Sequence, residues 1–293
     1  MTNAALLKGV IVPATTPFTA TEEIDEKAFT AQLEWLVAQG VLGIVVGGST
    51  GEGYALTDDE FVRLVDLAIE VAGPTLPVLA GIIADSTQAA VRRSRLVVGR
   101  RLAALQVAPP HYIFAPSEEG MIGFYRSLAE ATPFPLLIYN VVPWATVSPR
   151  QAGEIMRAVP GVVAIKQSGT DFGTYADLVR TVGAHRVFAA IDAALISCYE
   201  LGASGSIAAI ATATPRSSVR LWHAVAAGQR EEAMALHRAL LEVWIALAGP
   251  NLPAKVKAAQ ELQGVPASYP RAPMAPASSL ERKRIANALA GLK

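Results

Sequence analysis

Val162-Val163-Ala164-Ile165-Lys166-Gln167-Ser168 is an apolar, β-branched run that ends in polar residues. A strand covered on both faces needs such a run, because neither side of it meets water, and strands of this kind belong to parallel sheets. Lys166 is the anomaly in it. Taking an ammonium out of water is costly unless it is paired or neutralised. The same desolvation lowers an amine's pKa and makes it a nucleophile toward carbonyls. Lysine is scarce here, and among Lys8, Lys27, Lys166, Lys255, Lys257, Lys283 and Lys293 only Lys166 lies inside an apolar strand-like run. From this segment alone two readings stand: a reactive amine, or a gatekeeper lysine on an edge strand.

Outward from this run, short β-type segments alternate with helical ones. The strand candidates are Gly9–Pro13, Val41–Gly47, Pro77–Ile83, Ala103–Ala108, Pro135–Tyr139, Val162–Lys166, Arg186–Ile191 and Gly205–Ile210. Thr57-Asp58-Asp59-Glu60 has the form of a capping box, in which hydroxyl and carboxylate satisfy free amides at a helix start. Ser148-Pro149 places a cap residue before a proline at the first helical position. Gly40, Gly73, Gly99 and Gly183 fall where helices should stop. About eight β/α units result, which is the count of a (β/α)8 TIM barrel in the α/β class. A doubly wound open sheet is the alternative, but eight near-equal units favour closure. Pro215–Ala227 would complete the eighth unit. Glu231–Leu247, Ala254–Gln263 and Ser279–Leu292 then form a C-terminal helical appendage, giving a barrel over 1–228 and a helical region over 229–293.

The 293 residues are 52% hydrophobic and 17% charged, and 25 basic residues balance 25 acidic ones. With no basic stripe, nucleic acid and anionic membranes are not expected partners. The lone Cys198 permits no internal disulfide and reads as core filling, which fits a reducing cytoplasm. No signal peptide is evident, and no apolar run is long enough to span a bilayer. The high apolar content suggests surface buried between subunits.

In a barrel of this kind chemistry sits at the C-terminal ends of the strands. The second strand runs into Gly47-Gly48-Ser49-Thr50-Gly51-Glu52-Gly53, whose amides and hydroxyls can hold a carboxylate, or which is simply a Gly-rich turn. It lacks the Lys-Ser/Thr ending of a P-loop. The fifth strand ends at Tyr139-Asn140, either a phenol at the barrel mouth or a core tyrosine with a partnered hydroxyl. Pro109-Pro110-His111-Tyr112 follows the fourth strand, Asp192 follows the seventh, and Gly205-Ser206-Ile207 opens the eighth. His111, His185, His223 and His237 are scattered without metal-ligand spacing, so no metal is expected.

Together these residues resemble a known family. Gly48-Ser49-Thr50-Gly51-Glu52, with Leu56-Thr57 and Glu60, is similar to the Gly-Ser/Thr-Thr-Gly-Glu signature of the dihydrodipicolinate synthase and N-acetylneuraminate lyase superfamily. Tyr139-Asn140-Val141 resembles its tyrosine motif, and Ala164 to Asp171 its Schiff-base lysine strand. Gly202 to Ile207 and Pro250 to Lys255 resemble two further blocks, all in family order over nearly the whole chain.

The resemblance implies a metal-independent class I lyase without cofactor on a TIM barrel, usually a homotetramer. Lys166 would form an imine with pyruvate or another 2-oxo acid, and Tyr139 would be general acid/base. Ser49 would relay protons, and Ser49, Thr50 and Gly48 would bind the 2-oxo acid carboxylate. Ile207 would line the pocket. Tyr112 would correspond to a relay tyrosine that reaches in from a neighbouring subunit, although its segment carries one extra residue.

One departure stands out. In true dihydrodipicolinate synthases the tyrosine motif continues into Pro-x-Arg-Thr, whose arginine binds the second substrate's carboxylate. Here the run is Pro143-Trp144-Ala145-Thr146, with no arginine. Neutral groups do not replace that charge-assisted fork. The expected partner is therefore an aldehyde or sugar-acid-like molecule rather than aspartate semialdehyde, with Trp144 either facing it or packing on its own loop. The reaction would be aldol condensation or cleavage, or dehydration. The alternatives are the 4-hydroxy-tetrahydrodipicolinate synthase of lysine biosynthesis and a non-catalytic 2-oxo acid-binding paralogue.

Overall fold

The computed structural model describes residues 7–112, 114–169 and 171–292. Thr170 of the lysine motif and Ile113 of the Tyr112 segment lie outside them. The chain runs through β1 (Gly9–Pro13), α1 (Glu26–Ala38), β2 (Gly43–Val46), α2 (Asp58–Ala72), β3 (Val78–Ile82), α3 (Thr87–Arg95), β4 (Ala104–Val107) and α4 (Glu118–Ala131). It continues through β5 (Leu136–Asn140), α5 (Pro149–Ala158), β6 (Val162–Ser168), α6 (Phe172–Val182), β7 (Val187–Ala190), α7 (Leu195–Glu200), β8 (Gly205–Ser206) and α8 (Ala209–Ala213). The last helices are α9 (Pro215–Ala226), α10 (Arg230–Leu247), α11 (Leu252–Glu261) and α12 (Ser279–Ala290).

The eight strands are parallel and close into a barrel, with β1 pairing both β2 and β8. Closure follows from the sequence: the strands are apolar on both faces and each face must find cover. Every strand sends one face inward. Ile11, Val45, Leu79, Ala104, Leu137, Ala164 and Phe188, with Ile207 just past β8, form an interior cluster. Alternate residues such as Val10, Ile44, Leu105 and Ile138 join the outer core with Phe29, Leu33, Phe61 and Leu64 of the helices.

A closed barrel has no edge, so the gatekeeper reading of Lys166 falls away. Lys166 pairs with Tyr139 of β5 on one side and Phe188 of β7 on the other. The expected capping box at Thr57/Glu60 forms, Ser148 caps α5 as part of a further box with Gln151, and another at Ser278/Glu281 opens α12. The eighth strand is much shorter than the expected Gly205–Ile210. After Ser206 the chain turns into α8, where the Ile210 amide donates to Asp192 Oδ1 at 2.7 Å. That side chain supplies the acceptor a further strand residue would have had, so helix replaces ladder.

The C-terminal helices do more than cover the barrel. α10 packs on α9, and α11 on α8. From α11, Lys257 reaches Glu52 in the loop after β2, with a Nζ–Oε1 distance of 2.5 Å and both side chains buried. Arg271 adds its backbone amide to Glu52 Oε2 at 2.9 Å and a two-point contact to Glu60. Such a pair depends on its partners, because either charge alone would be stranded out of water. No helix among the described residues is long and apolar enough to cross a membrane.

Candidate active site

Burial alone does not single out Lys166. It is 5% exposed, and Lys255 and Lys257 are each 4% exposed. The difference lies in their partners. Lys257 donates to Glu52 and to the Tyr269 carbonyl, and Lys255 to the Ala248 carbonyl at 2.6 Å. Lys166 has no carboxylate within ion-pair distance among the described residues. Its Nζ lies 4.3 Å from the centre of the Tyr139 ring and lines a cavity. A buried amine without a carboxylate to hold it is available for covalent chemistry.

Tyr139 is the last inward-facing residue of β5 and is fully buried. Its hydroxyl donates to Ser49 Oγ at 3.0 Å and accepts from the Ser49 amide at 3.1 Å. Burial raises the phenol pKa, but the Lys166 charge and the two Ser49 hydrogen bonds outweigh it and bring it below the ordinary value. A phenol so placed exchanges its proton more readily than a free one.

The loop that carries Ser49 is folded back tightly. The Gly51 and Gly53 amides both donate to the Gly48 carbonyl at 3.0 Å. A β-carbon on Gly53 would stand 1.9 Å from the Gly47 carbonyl oxygen, so no other residue fits there. Glu52 is left-handed at φ 53 and is held by Lys257 and Arg271. The serine's position is thus set by α11, far along the chain. On the other side of the mouth, Asn140 fixes the loop after β5. Its Nδ2 donates to the Val147 carbonyl and its Oδ1 accepts from the Val147 amide, both at 2.8 Å.

The cavity measures about 410 Å³ and opens at the C-terminal ends of the strands. Ser49, Thr50, Tyr139, Lys166 and Ile207 line it, with Asp192, Tyr54 and the Gly249–Pro253 segment that leads into α11. Gly48 borders it: a β-carbon there would lie 3.6 Å from Tyr139 Oη. Among the described lining residues the only charged ones are Lys166 and Asp192. Burial pushes the Asp192 carboxyl up to about 6, with the Ile210 amide and the Lys166 charge acting against it. A larger cavity of about 1040 Å³ opens where β6 begins, between Leu7, Val162, Arg186 and Trp222, at the end of the barrel away from Lys166. The lysine and its phenol are absent from that lining, so the smaller cavity is the candidate site.

The sequence model of the Dihydrodipicolinate synthetase family matches residues 6–291. The chain belongs to this family. A 4-hydroxy-tetrahydrodipicolinate synthase of Thermomicrobium roseum is 32% identical over 97% of this chain and 94% of its own. The dihydrodipicolinate synthase of Thermotoga maritima superposes with a TM-score of 0.92 at 26% identity, covering 98% of this chain and all of its own (100%). YagE, a prophage protein of the dihydrodipicolinic acid synthase family from E. coli K12 solved in complex with pyruvate, also gives 0.92, at 25% identity, over 98% of this chain and 99% of its own. The family is one of lyases on the TIM-barrel fold, and its superfamily is the one the sequence motifs resemble.

In this family member the structure brings Lys166, Tyr139, Ser49, Thr50, Gly48 and Ile207 together. Trp144 and Tyr112 stand apart from them. Trp144 is 69% exposed, does not line the cavity, and donates its ring N–H to the His111 carbonyl at 2.7 Å. Tyr112 is 70% exposed and is held by its backbone to Asp85. Where the resembling motif would carry arginine the chain has Ala145, a buried residue of the loop after β5. Sequence reading missed the Glu52–Lys257 pair and the wall supplied by Gly249–Pro253. The signal present was Pro250 to Lys255, a motif whose place in space no local pattern reveals.

Proposed function

We propose that this protein is a class I, metal-independent lyase in which Lys166 forms a Schiff base with pyruvate or a related 2-oxo acid. The observation that carries this reading is the unpaired Lys166 ammonium beside a Tyr139 hydroxyl that is hydrogen-bonded to Ser49 in one cavity. Once the ammonium has given a proton to solvent, the amine adds to the ketone carbon and an N–H proton passes to the carbonyl oxygen, giving a carbinolamine. Tyr139 protonates the departing hydroxyl, water leaves, and the nitrogen lone pair closes the C=N bond. The protonated imine then accepts the electron pair freed when the adjacent carbon loses a proton or a carbon–carbon bond breaks. Ser49 passes protons to and from Tyr139. Ser49 and Thr50 hold the 2-oxo acid carboxylate, with Gly48 leaving room for it and Ile207 against its apolar end.

The second substrate carries no carboxylate at the distal end of the cavity. The Lys166 charge stays with the imine at the reacting carbon, Ala145 stands where an arginine would be, and Asp192 would repel a second anion. A hydroxylated or uncharged aldehyde, or a sugar acid bound by its 2-oxo acid end, fits, and the reaction is aldol cleavage, condensation or dehydration. Tyr112 completes a proton relay in a neighbouring subunit of a homotetramer, in the cytoplasm. The name shared by the curated relatives favours a second reading, synthesis of 4-hydroxy-tetrahydrodipicolinate.

The test is borohydride reduction in the presence of pyruvate, then digestion and mass spectrometry, with Lys166→Ala as control. A pyruvyl adduct on Lys166 is expected. No adduct with any 2-oxo acid overturns the lyase reading. Rapid condensation of pyruvate with aspartate semialdehyde would replace the first reading with the second.

A further inference from the structure

Gln106 is wholly buried, and neither Oε1 nor Nε2 meets a hydrogen-bonding group among the described residues. It stands on β4, where Leu105 and Val107 join the outer core and Ala104 the interior cluster. Strand alternation therefore puts Gln106 on the interior face, one step nearer the cavity than Ala104. Its register partners are Gly81 on β3 and Leu137 on β5. Gly81 lets the Gly47–Gly48 backbone pack directly against β3, since a β-carbon there would lie 2.6 Å from the Gly47 carbonyl oxygen and 2.9 Å from the Gly48 nitrogen. On the cavity side is Gly48, where a β-carbon would lie 3.6 Å from Tyr139 Oη and 3.7 Å from Gln106 Nε2. Amide and phenol thus both border the point beside Gly48 that a side chain would otherwise occupy. A buried carboxamide unmet at both ends carries its full desolvation cost, and protein interiors relieve that cost by enclosing water.

We propose that Gln106 is a positioning residue whose carboxamide holds one water molecule against the Tyr139 hydroxyl. The role of this water rests on Tyr139 being the general acid/base proposed above. The water accepts from Nε2, donates one hydrogen to Oε1 and offers the other to Tyr139 Oη. When Tyr139 gives its proton to the departing carbinolamine hydroxyl, the phenolate left behind gains a donor from below, besides the Ser49 amide. A donor to the charged form favours that form, so the water makes Tyr139 a stronger acid.

Gln106→Met keeps the length of the side chain and removes the amide. Tyrosinate absorbance, titrated against Tyr139→Phe as blank, reports the Tyr139 midpoint without any ligand. In Gln106→Met that midpoint is expected to move up by about one pH unit, equivalent to about tenfold in proton affinity. The initial rate of borohydride-trapped adduct at saturating pyruvate is expected to fall about tenfold, with half-saturation unchanged. A high-resolution crystal structure of the unmodified protein should place one water within hydrogen-bonding distance of both Gln106 and Tyr139 Oη. A dry niche, or an unmoved tyrosinate midpoint, overturns the proposal. So does a more stable Gln106→Met with unchanged trapping, the mark of a plain orphaned amide. If the unmodified protein traps no 2-oxo acid, the lyase reading fails. The water and the midpoint shift are still decided by crystallography and titration.

Discussion

Tyr139 and Lys166 are register partners on adjacent parallel strands, and the Lys166 ammonium lies 4.3 Å from the centre of the Tyr139 ring. Partners in register on neighbouring strands point to the same face, so backbone pairing places amine and phenol side by side. No loop has to close to bring them together. Their charges act on each other: the ammonium favours the phenolate, which helps bring the phenol below its ordinary pKa despite burial.

A pH dependence follows. If Tyr139 acts as the acid in imine formation, the trapping rate should fall as pH rises through its pKa, at lower pH than for an ordinary phenol. Tyr139→Phe should lose about 10²- to 10⁴-fold in rate and abolish that alkaline limb. Stopped-time borohydride trapping across a pH series measures both. An alkaline limb that survives in Tyr139→Phe would assign it to another group.

Lys166→Arg should be inactive while remaining folded. A guanidinium stays protonated and offers no lone pair to a ketone, although it keeps the positive charge. Intact-mass analysis after reduction should show no added mass at any 2-oxo acid concentration. An adduct of normal yield would place the reactive amine elsewhere.

The Glu52–Lys257 pair joins the loop after β2 to α11 with both side chains out of water. Lys257→Met strands the Glu52 carboxylate and should destabilise the fold by about 3–5 kcal/mol. Replacing both, with Glu52→Gln alongside Lys257→Met, should recover part of that loss. Urea unfolding of the two single variants and the double variant measures the coupling, and strict additivity would count against the pair.

Asp192 gives a second pH signature, in stability. Burial raises its carboxyl from 3.8 to about 6, so the folded chain binds this proton more tightly than the unfolded one. The neutral form's contribution is complete below about pH 4 and is lost as pH rises through about 6. Asp192→Asn keeps an oxygen for the Ile210 amide and removes the charge. It should exceed the parent at about pH 8 by roughly 1–2 kcal/mol, a figure discounted because the carboxyl is partly open to the cavity. The gain should shrink toward zero on acidification. A gain equal at both ends of the pH range would show that Asp192 does not titrate in this way.

Much of the fold could be read locally. The run Val162–Ser168 declared a buried strand because every side chain but the last few rejects water. Thr57 and Ser148 marked helix starts because only short polar side chains reach back to free amides. The end of β8 could not be read that way, since Gly205-Ser206-Ile207 gives no sign that Asp192 will take the Ile210 amide. Lys255 and Lys257 lie outside any apolar strand-like run, in the expected helix Ala254–Gln263, and are as buried as Lys166.

The sequence by itself determined the α/β alternation, the eight-unit count and the residue types available for imine chemistry, because hydrophobic period, caps and motifs act over a few neighbouring residues. Only the tertiary structure decided which lysine is unpaired and that Tyr139 stands beside it in register with Ser49 on its hydroxyl. It also decided that α11 braces the loop after β2 across 205 residues of chain. Barrel closure brings these groups together, and a closed sheet is a property of all eight strands at once, carried by no single segment.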